Sequence, residues 1–292
     1  MIVAPKSKLL KQRQGDAPTI VQILPAMIRG GVERGTVEIA DAIQKHGGRA
    51  IVISRGGPMV RHLDRLGAKH YQLDVHTKNP FRWPQVRRRL KAILSRENAD
   101  LVHVRSRVPA WIALPAAAAL GIATVSTVHG RFIALSALKR MYNRKLLKTD
   151  HVIAISNYVK DLITSQYVDV KERLTVVHRG VDVDLFNPDN VNQTRIVNFV
   201  EGLAIPEDVP VIMLPARATT WKGHRILLQA LAKIKDRPFI CLMIGAGDGK
   251  PAFVSELVRY GQELGLEGRF RLTPLVDDMP AALLVADVVA MP

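Results

Sequence analysis

The sequence has little cysteine and few aromatic residues. Its 292 residues include one cysteine, Cys241, so no disulfide can form within the chain, which is typical of proteins in a reducing cytoplasm. Cys241 stands in the apolar run 239–244 with no cation beside it, which predicts a small core residue rather than a reactive thiol. Aromatic residues make up 5% of the chain and no recognition motif is present, so the sequence argues against nucleic-acid binding.

Apolar runs long enough to span a membrane are also missing. The uncharged stretch 108–125 is rich in alanine and is interrupted by Pro109, Pro115 and Gly121, whereas a membrane-spanning helix needs about 20 strongly apolar residues. We interpret this stretch as a helix, a turn and a buried strand of a soluble α/β domain. Residues 1–17 carry four basic side chains but no apolar core of a signal peptide, and are predicted to form a flexible basic arm.

Acidic residues are outnumbered by basic ones. The chain has 26 Asp and Glu against 42 Lys and Arg, which gives a net charge of +16. Such a charge attracts anionic partners, among them nucleic acid, anionic lipid headgroups and phosphorylated substrates, but does not choose among them. The composition is otherwise that of an ordinary globular protein, with 48% hydrophobic and 23% charged residues.

Short apolar runs rich in β-branched residues alternate with longer amphipathic segments through the first part of the chain. This alternation predicts a parallel sheet with helices on both faces. The predicted strands are 19–24, 49–54, 70–73, 101–104, 124–128, 151–154 and 174–177. The predicted helices are 32–45, 59–66, 84–97, 109–120, 135–147 and 157–165.

The alternation breaks around Gly180, where 181–188 is predicted to be an irregular linker, and then restarts. The second series predicts strands 211–214, 239–244, 269–272 and 288–291, and helices 194–203, 224–234, 253–264 and 279–285. We infer two Rossmann-like domains, 18–189 and 190–292. The second domain has about four predicted strands, fewer than a doubly wound domain usually has, so we expect it to be incomplete.

Two glycines, Gly30 and Gly31, follow the first predicted strand. In a doubly wound sheet, ligands bind beyond the carboxyl ends of the strands, and glycines there let the backbone approach a phosphate closely. The helix that follows offers free N–H groups and a positive dipole end. A plain tight turn explains the same pair of glycines.

Two cations, Arg217 and Lys222, follow the first strand of the second predicted domain. A guanidinium clamps phosphate oxygens as a fork, whereas an ammonium acts as a point charge. Placed in advance on a loop facing a cleft between the domains, the two would stabilise the charge of a departing diphosphate. The motif is not a P-loop, because Gly223 follows Lys222 where Ser or Thr is required. A solvated surface pair is the alternative.

Weaker signals come from a second glycine loop and from two histidines. Gly245 and Gly247 follow a predicted strand, but Lys250 stands where a dinucleotide fingerprint needs its third glycine. His103 and His129 each lie at the carboxyl end of a predicted strand of the first domain. There a histidine is able to hydrogen-bond a sugar hydroxyl or shuttle a proton. A hydrogen-bonded structural histidine is the alternative for both.

Eight stretches, in this order, resemble the motifs of family 4 glycosyltransferases of the GT-B architecture. They are Gly30-Gly31-Val32-Glu33, Asp100-Leu101-Val102-His103, Thr127-Val128-His129-Gly130, Val152-Ile153-Ala154-Ile155-Ser156, Gly180-Val181-Asp182 with Phe186, Ala216-Arg217 with Lys222-Gly223, Gly245-Ala246-Gly247, and Ala286-Asp287-Val288. Each is loose, but together they cover nearly all of the chain after residue 17.

The resemblance implies an α/β fold with two Rossmann-like domains facing a cleft. It also implies retaining transfer of a sugar from a UDP-, GDP- or ADP-linked donor, with no cofactor and no essential metal. Arg217 and Lys222 match the ligands of the donor diphosphate, and His129 matches a cleft histidine near the transferred sugar. The catalytic set is therefore expected to be His129, Arg217 and Lys222.

The resemblance also divides the remaining candidates between donor and acceptor. The turn at Gly30 and Gly31 matches a loop close to the donor phosphate and the acceptor. On the donor side we further expect Gly245 and Gly247. On the acceptor side we expect Glu33, His103 and Arg105.

The sequence departs from the family pattern in two places. His178-Arg179-Gly180 stands where the family usually has Pro-Asn-Gly. The family's two glutamates, separated by seven residues, contact the donor sugar and ribose, and they would fall just beyond residue 292. We therefore expect the chain to be truncated, and its own activity to depend on that missing segment.

Basic residues cluster on two predicted helices of the first domain. One set includes Arg87, Arg88 and Lys91 beside Phe81 and Trp83. The other set includes Arg140 and Lys145. Polybasic helices with aromatic neighbours are typical of proteins that dock on anionic lipid. A solvated helix face is the alternative.

These observations together predict an enzyme that transfers a sugar from a nucleotide sugar to a bacterial cell-envelope glycan or glycolipid, of the lipopolysaccharide or capsule type. We expect it in the cytoplasm, peripheral on the cytoplasmic face of the inner membrane. Two alternatives stay open: a truncated, inactive remnant that only binds ligand, and a dinucleotide-dependent oxidoreductase built on two Rossmann units.

Overall fold

The computed structural model describes residues 17–130 and 132–292. Residues 1–16, almost all of the predicted basic arm, lie outside the described residues. The chain divides into two compact units, Met1–Arg179 and Gly180–Pro292. The division falls ten residues before the predicted start of the second domain at residue 190. Within the described residues, no helix combines the length and the apolar character needed to cross a membrane.

The first unit is built on a parallel sheet of seven strands, in the order β3-β2-β1-β4-β5-β6-β7. The strands are β1 Thr19–Ile23, β2 Arg49–Ser54, β3 Lys69–Gln72, β4 Leu101–Val104, β5 Ala123–Val128, β6 His151–Ala154 and β7 Leu174–Val176. The order of the first six is that of a doubly wound dinucleotide-type sheet, in which ligands bind where the order reverses, between β1 and β4. All seven predicted strands are therefore confirmed.

The helices of the first unit follow the predicted periodicity. They are α1 Gly31–Lys45, α2 Val60–Arg65, α3 Trp83–Arg96, α4 Arg107–Ala118, α5 Ala137–Arg144 and α6 Asn157–Thr164. Helix α3 shows the principle, because its buried residues Val86, Leu90 and Leu94 recur every four positions and face the core. The predicted helix 135–147 is shorter than expected. It ends as α5 at Arg144, and a 3-10 turn, Lys145–Leu147, takes the next two leucines into the core.

The uncharged stretch 108–125 folds as predicted, into a helix, a turn and a strand. Helix α4 holds Pro115 inside it and buries most of its residues. Gly121 then adopts a left-handed conformation with φ of 68°, which a residue without a Cβ reaches at no steric cost. The chain enters β5 two residues later. The apolar composition of this stretch therefore serves burial inside a domain.

The second unit has a parallel sheet of four strands in the order β10-β9-β8-β11. The strands are β8 Val211–Met213, β9 Ile240–Ile244, β10 Phe270–Thr273 and β11 Val288–Val289, and the helices are α7 Gln193–Gly202, α8 His224–Ala232, α9 Pro251–Glu263 and α10 Met279–Val285. Every residue of β9 is buried, as expected for a strand covered on both faces. Cys241 is fully buried there, and burial raises the pKa of its thiol to about 12, so the core role predicted for it is confirmed.

Candidate active site

Four of the predicted site residues come together at the carboxyl ends of β1, β4 and β5 in the first unit. Helix α1 begins at Gly31 with Gly30 as its N-cap, so its free N–H groups and positive dipole end lie at this edge of the sheet. Arg105 directly follows β4, and His129 directly follows β5. A pocket of about 190 Å³ opens beside Arg105 and His129. It is lined by Arg105, Ser106, Arg107, Thr127, Val128, His129, Gly130, Phe132 and Leu146.

Arg105 is almost completely buried, with 6% of its surface exposed. Its Nη1 donates to Oε1 of Gln22 at 2.6 Å, and Nε2 of Gln22 in turn donates to the carbonyl oxygen of Thr36 at 2.9 Å. The Nε of Arg105 is buried and has no partner among the described residues. Burial, and after it the charge of Arg179, lowers the pKa of Arg105 to about 10. The guanidinium therefore stays charged at neutral pH.

Arg179 is a site residue that the sequence reasoning missed. Its Nη1 lies so close to Gly31 that a methyl group on that glycine would come within 2.9 Å, and the same holds for its Nη2 at Gly35. A methyl group on Gly35 would also come within 3.1 Å of Nη2 of Arg105, so the two guanidinium groups are neighbours. The sequence did contain a signal, because Arg179-Gly180 departs from the family's Asn-Gly. The sequence does not show, however, that Arg179 contacts α1 and Arg105.

Acidic side chains on α1 partly balance these cations. Oε2 of Glu38 accepts from Nη2 of Arg179 at 3.2 Å, and its other oxygen lies 3.4 Å from Nε of Arg34. Glu33, in the first turn of α1, lies over Gly30, where a methyl group would come within 2.7 Å of Oε2. A carboxylate in the first turn also offsets the positive end of the helix dipole. Neither glutamate has a hydrogen bond to Arg105 in the part of the chain that the structure describes.

His129 has both ring nitrogens buried and without partners in the described structure. Burial, followed by the charges of Arg105 and Arg179, lowers the pKa of His129 to about 3. The imidazole is therefore neutral at neutral pH, with one nitrogen able to donate a hydrogen bond and the other to accept one. Of the two roles predicted for it, this state favours hydrogen bonding to a hydroxyl over shuttling a proton.

His103 is placed differently from His129. It is 7% exposed within β4, and its Nε2 is 2.8 Å from the hydroxyl of Thr127 on β5. Burial is also the largest reason why the pKa of His103 falls to about 3. This arrangement fits the structural alternative, since the ring bridges two strands beneath the pocket.

In the second unit, Arg217 and Lys222 lie on the loop between β8 and α8. Both are exposed. Neither side chain has an ion pair or hydrogen bond with any residue in 17–130 or 132–292. Gly223 ends the loop in a left-handed conformation with φ of 75° and starts α8. His224, 1% exposed, donates from Nε2 to the carbonyl oxygen of Ala216 and so ties the two ends of the loop together.

The loop that contains Gly245 and Gly247 packs against this cation loop. The nearest atoms to a methyl group on Gly245 would include the backbone nitrogen of Arg217, at 3.7 Å. A methyl group on Gly247 would come within 3.0 Å of the backbone of Pro274, and one on Gly249 within 2.7 Å of Cβ of Ala218. Close packing between loops therefore accounts for two of the three glycines, and contact with a nucleotide stays a prediction for this loop.

The two basic clusters of the first unit are joined by a row of aromatic rings. Trp83 stacks on Trp111 and Trp111 on Tyr142, with centroids 5.8 Å and 6.5 Å apart. Lys145 lies over Trp111 at 5.5 Å, and Lys139 lies over Tyr142 at 5.0 Å. Helices α3 and α5 and the residues next to α5 also carry the cations Arg87, Arg88, Lys91, Arg140 and Lys148, and the exposed apolar side chains Leu135, Leu138 and Met141. We call these residues together the basic-aromatic surface.

In 17–130 and 132–292 no group of three or more His, Cys, Asp or Glu side chains is placed to hold a metal ion.

Two family models match the chain. The one described as Glycosyltransferase Family 4 matches residues 29–185, and the one described as Glycosyl transferases group 1 matches residues 209–292. Because the first match covers more than half of its length, the chain belongs to glycosyltransferase family 4. The family that the sequence motifs resembled is thereby confirmed.

Solved structures support the same assignment. The crystal structure of a glycosyltransferase from Rickettsia africae ESF-5 is 34% identical with a TM-score of 0.82, over 94% of this chain and 72% of that one. Anabaena Alr3699/HepE in complex with UDP-glucose is 21% identical with a TM-score of 0.77, over 94% of this chain and 73% of that one, and shows the shared fold. The predicted α/β fold with two Rossmann-like domains of the GT-B class is confirmed.

Curated relatives share part of their length with the chain. The D-inositol 3-phosphate glycosyltransferase of Xylanimonas cellulosilytica is 32% identical over 136 residues, which is 46% of this chain and 32% of the relative. The enzyme of the same name from Corynebacterium glutamicum is 29% identical over 168 residues, 54% of this chain and 39% of the relative. The matches thus span about a third of the length of these curated relatives.

Proposed function

We propose that the protein is a retaining glycosyltransferase that moves a sugar from a nucleotide sugar to a cell-envelope glycan or glycolipid. The observation that carries the proposal is the pair Arg217 and Lys222, exposed and without a side-chain partner in the described structure, at the carboxyl ends of the central strands of the second unit. Cations that no protein carboxylate neutralises are suited to an anionic ligand, and a nucleotide sugar carries two phosphates.

The chemistry follows from where charge develops. When the bond from the sugar to the diphosphate breaks, negative charge builds up on the leaving phosphate oxygens. Arg217 and Lys222 stabilise that charge as fixed cations, a contribution of the kind that changes rates by about 10²–10³-fold when one group is removed. The acceptor hydroxyl oxygen then bonds to the sugar carbon on the same face, and its proton passes to the leaving phosphate oxygen. With two cations present, the reaction is proposed to need neither a cofactor nor a metal.

His129 is proposed to orient the reacting sugar. Its neutral ring and its two unpartnered nitrogens equip it to donate to one hydroxyl and accept from another. Glycines 30 and 31 let the donor phosphate or the acceptor approach the start of α1. The solved structures of Anabaena Alr3699/HepE contain UDP-glucose or UDP, which supports UDP among the candidate nucleotides.

The acceptor is proposed to be presented at a membrane. The basic-aromatic surface combines cations with exposed apolar side chains, and Leu138 is 72% exposed on α5 among basic neighbours. Such a surface gains both from anionic headgroups and from burying leucine and methionine at the lipid boundary. A peripheral position on the cytoplasmic face of the inner membrane, with a lipopolysaccharide or capsule precursor as acceptor, is the proposal that this surface supports.

The test is a binding titration with UDP-, GDP- and ADP-linked sugars, with NAD as the comparison ligand. We expect one nucleotide sugar to bind and NAD not to bind. Arg217→Ala and Lys222→Ala are each expected to weaken that binding about tenfold, because each removes a charge-assisted hydrogen bond or ion pair to phosphate. The matched control is Arg259→Ala, which removes an exposed cation from α9 and should leave the affinity unchanged.

Three results would contradict the proposal. The first is wild-type protein that binds no nucleotide sugar. The second is an affinity for NAD alone, which would favour the oxidoreductase alternative. The third is an Arg217→Ala variant that binds as tightly as wild type. Binding without any transfer or donor hydrolysis would instead favour the ligand-binding remnant.

A further inference from the structure

Arg105 is a buried charge without an acidic partner. Its side chain is nearly completely enclosed, and the one hydrogen-bond acceptor it reaches is the neutral amide of Gln22. The amide nitrogen of Gln22 donates to the carbonyl oxygen of Thr36, which holds the Gln22 side chain in the orientation that accepts from Arg105. Buried guanidinium groups normally lie against a carboxylate, because a charge removed from water and left unpaired is costly. Nothing in the described structure supplies that carboxylate.

The charged groups near Arg105 do not neutralise its charge. Its closest charged neighbour is another guanidinium, that of Arg179, and both reach the same point at Gly35. Glu38 is shared between Arg179 and Arg34, and Glu33 lies over Gly30. Two carboxylates are thus spread over three cations, and neither bonds Arg105. Because the cations outnumber the carboxylates, an additional anion would be stabilised here.

The pocket beside Arg105 has the donors that an anion needs. Arg105 lines it together with Thr127 and His129. The Nε of Arg105 and both nitrogens of His129 are buried and unpartnered in the described residues. Arg105 follows β4, and Thr127 and His129 lie at the end of β5, so the pocket is held by two strand ends of the sheet rather than by one loop.

We propose that a phosphoryl group of the acceptor binds beside this pocket, with the neighbouring guanidinium groups of Arg105 and Arg179 as its two ligands. The proposal rests on the proposed function and deepens it by naming the acceptor class, a phosphorylated sugar or a lipid phosphate. Two guanidinium groups match a phosphoryl group because each presents a planar fork to its oxygens. The donor diphosphate is proposed to bind Arg217 and Lys222, which belong to the second unit, whereas Arg105 and Arg179 belong to the first.

The first experiment measures binding of three small probes to wild-type protein: glucose 6-phosphate, glucose and short-chain phosphatidic acid below its micelle concentration. At least one phosphorylated probe is expected to bind ten times more tightly than glucose. Tighter binding of glucose 6-phosphate identifies a phosphorylated sugar as the source, and tighter binding of phosphatidic acid identifies a lipid phosphate. Failure of both phosphorylated probes to bind better than glucose overturns the proposal.

Variants then assign the residues. Arg179→Gln removes a partly exposed guanidinium and is expected to weaken binding of the phosphorylated probe about tenfold. Arg105→Gln is expected to abolish binding of the phosphorylated probe. The probe should then no longer raise the melting temperature, as it does in wild type. Arg34→Gln is the matched control, because it removes an exposed arginine that bonds the same Glu38. A loss as large in Arg34→Gln as in Arg179→Gln would show a general field effect and overturn the assignment.

Competition on the wild-type protein separates this inference from the donor site. Saturating UDP is expected to leave the affinity for the phosphorylated probe unchanged. If UDP displaces the probe competitively, the pocket serves the donor diphosphate and the proposal is wrong. If the probe binds while no nucleotide does, the phosphoryl site stands and the proposed function fails.

Discussion

His224 donates from Nε2 to the carbonyl oxygen of Ala216 at 3.1 Å, and so closes the loop that carries Arg217 and Lys222. The imidazole is nearly completely buried at the start of α8, and burial lowers its pKa. A neutral ring is suited to this position, because Lys222 lies near enough to disfavour a second positive charge. The loop geometry therefore depends on a buried residue next to the two cations as well as on the cations themselves.

His224→Ala is predicted to weaken nucleotide-sugar binding about fivefold, the equivalent of one lost hydrogen bond of about 1 kcal/mol. It acts by loosening the loop, so Arg217→Ala in the His224→Ala background should cost less than it does alone. The measurement is a titration of each variant, with folding checked by circular dichroism. His151→Ala, an exposed histidine bonded to Thr175 in the first unit, is the control. A folded His224→Ala protein with wild-type affinity would refute this role.

His103 is predicted to make the first unit sensitive to acid. Burial lowers its pKa from 6.5 to about 3. Between these two values the unfolded chain binds a proton that the folded protein does not, so stability is complete above pH 6.5 and falls as the pH drops towards 3. His103→Gln keeps a polar group that can reach Thr127 and should lose less stability between pH 7 and pH 4.5 than wild type. Urea unfolding at both pH values provides the measurement, with the exposed His46→Gln as control. An equal loss in His103→Gln and wild type would contradict the prediction.

Glu97 is predicted to be a main electrostatic contributor to the stability of the first unit. Its carboxylate accepts from Tyr71 at 2.5 Å and from Lys69 and Arg49 at 2.9 Å each, which joins β2, β3 and the end of α3. The hydrogen bond from Tyr71, followed by that from Lys69, lowers the pKa of Glu97. The stabilisation is therefore present above the usual carboxyl pKa and is lost as the pH falls through the lowered value.

Glu97→Gln should reduce the free energy of unfolding at pH 7 by about 1–3 kcal/mol, because it removes the buried charged acceptor that the three donors share. The loss should shrink at pH values low enough to protonate the wild-type carboxylate. Chemical unfolding at pH 7 and pH 3 measures both effects. Glu263→Gln breaks an exposed pair within α9 and should change stability by less than 0.5 kcal/mol or so. An effect of Glu97→Gln no larger than that of this control would be evidence against the network.

The basic-aromatic surface is predicted to bind anionic vesicles. Arg140→Glu reverses one charge on α5 and should lower partitioning onto phosphatidylglycerol vesicles roughly 10–30-fold, since each basic residue near such a surface contributes about 1 kcal/mol. Leu138→Ser should also reduce partitioning, but with a smaller dependence on salt. Lys233→Glu, an exposed lysine of the second unit, is the control for net charge. Equal losses for Arg140→Glu and Lys233→Glu would show that overall charge, not this surface, drives binding.

Most of the fold was predictable from local patterns. Strands such as β2 and β9 are runs of β-branched and apolar residues bounded by turn residues, and α3 repeats its apolar residues every four positions. These signals lie within one element and need no knowledge of the rest of the chain. The end of α5 was harder, because burial of Leu146 and Leu147, a tertiary effect, turns the last residues into a 3-10 turn.

The sequence alone determined the family, the order of the strands along the chain and the loops that carry Gly30, Arg217 and His129, since motifs and periodicity are local properties. Only the tertiary structure decided which cations become neighbours. Arg179 is separated by more than 140 residues from the helix turn it contacts, and its pairing with Arg105 arises from the return of the chain past β7. The tertiary structure also decided the different roles of the two histidines. His103 bridges two strands, whereas both nitrogens of His129 stay unpartnered at the pocket in the described structure. The sequence could not show this difference, because burial depends on packing from every side.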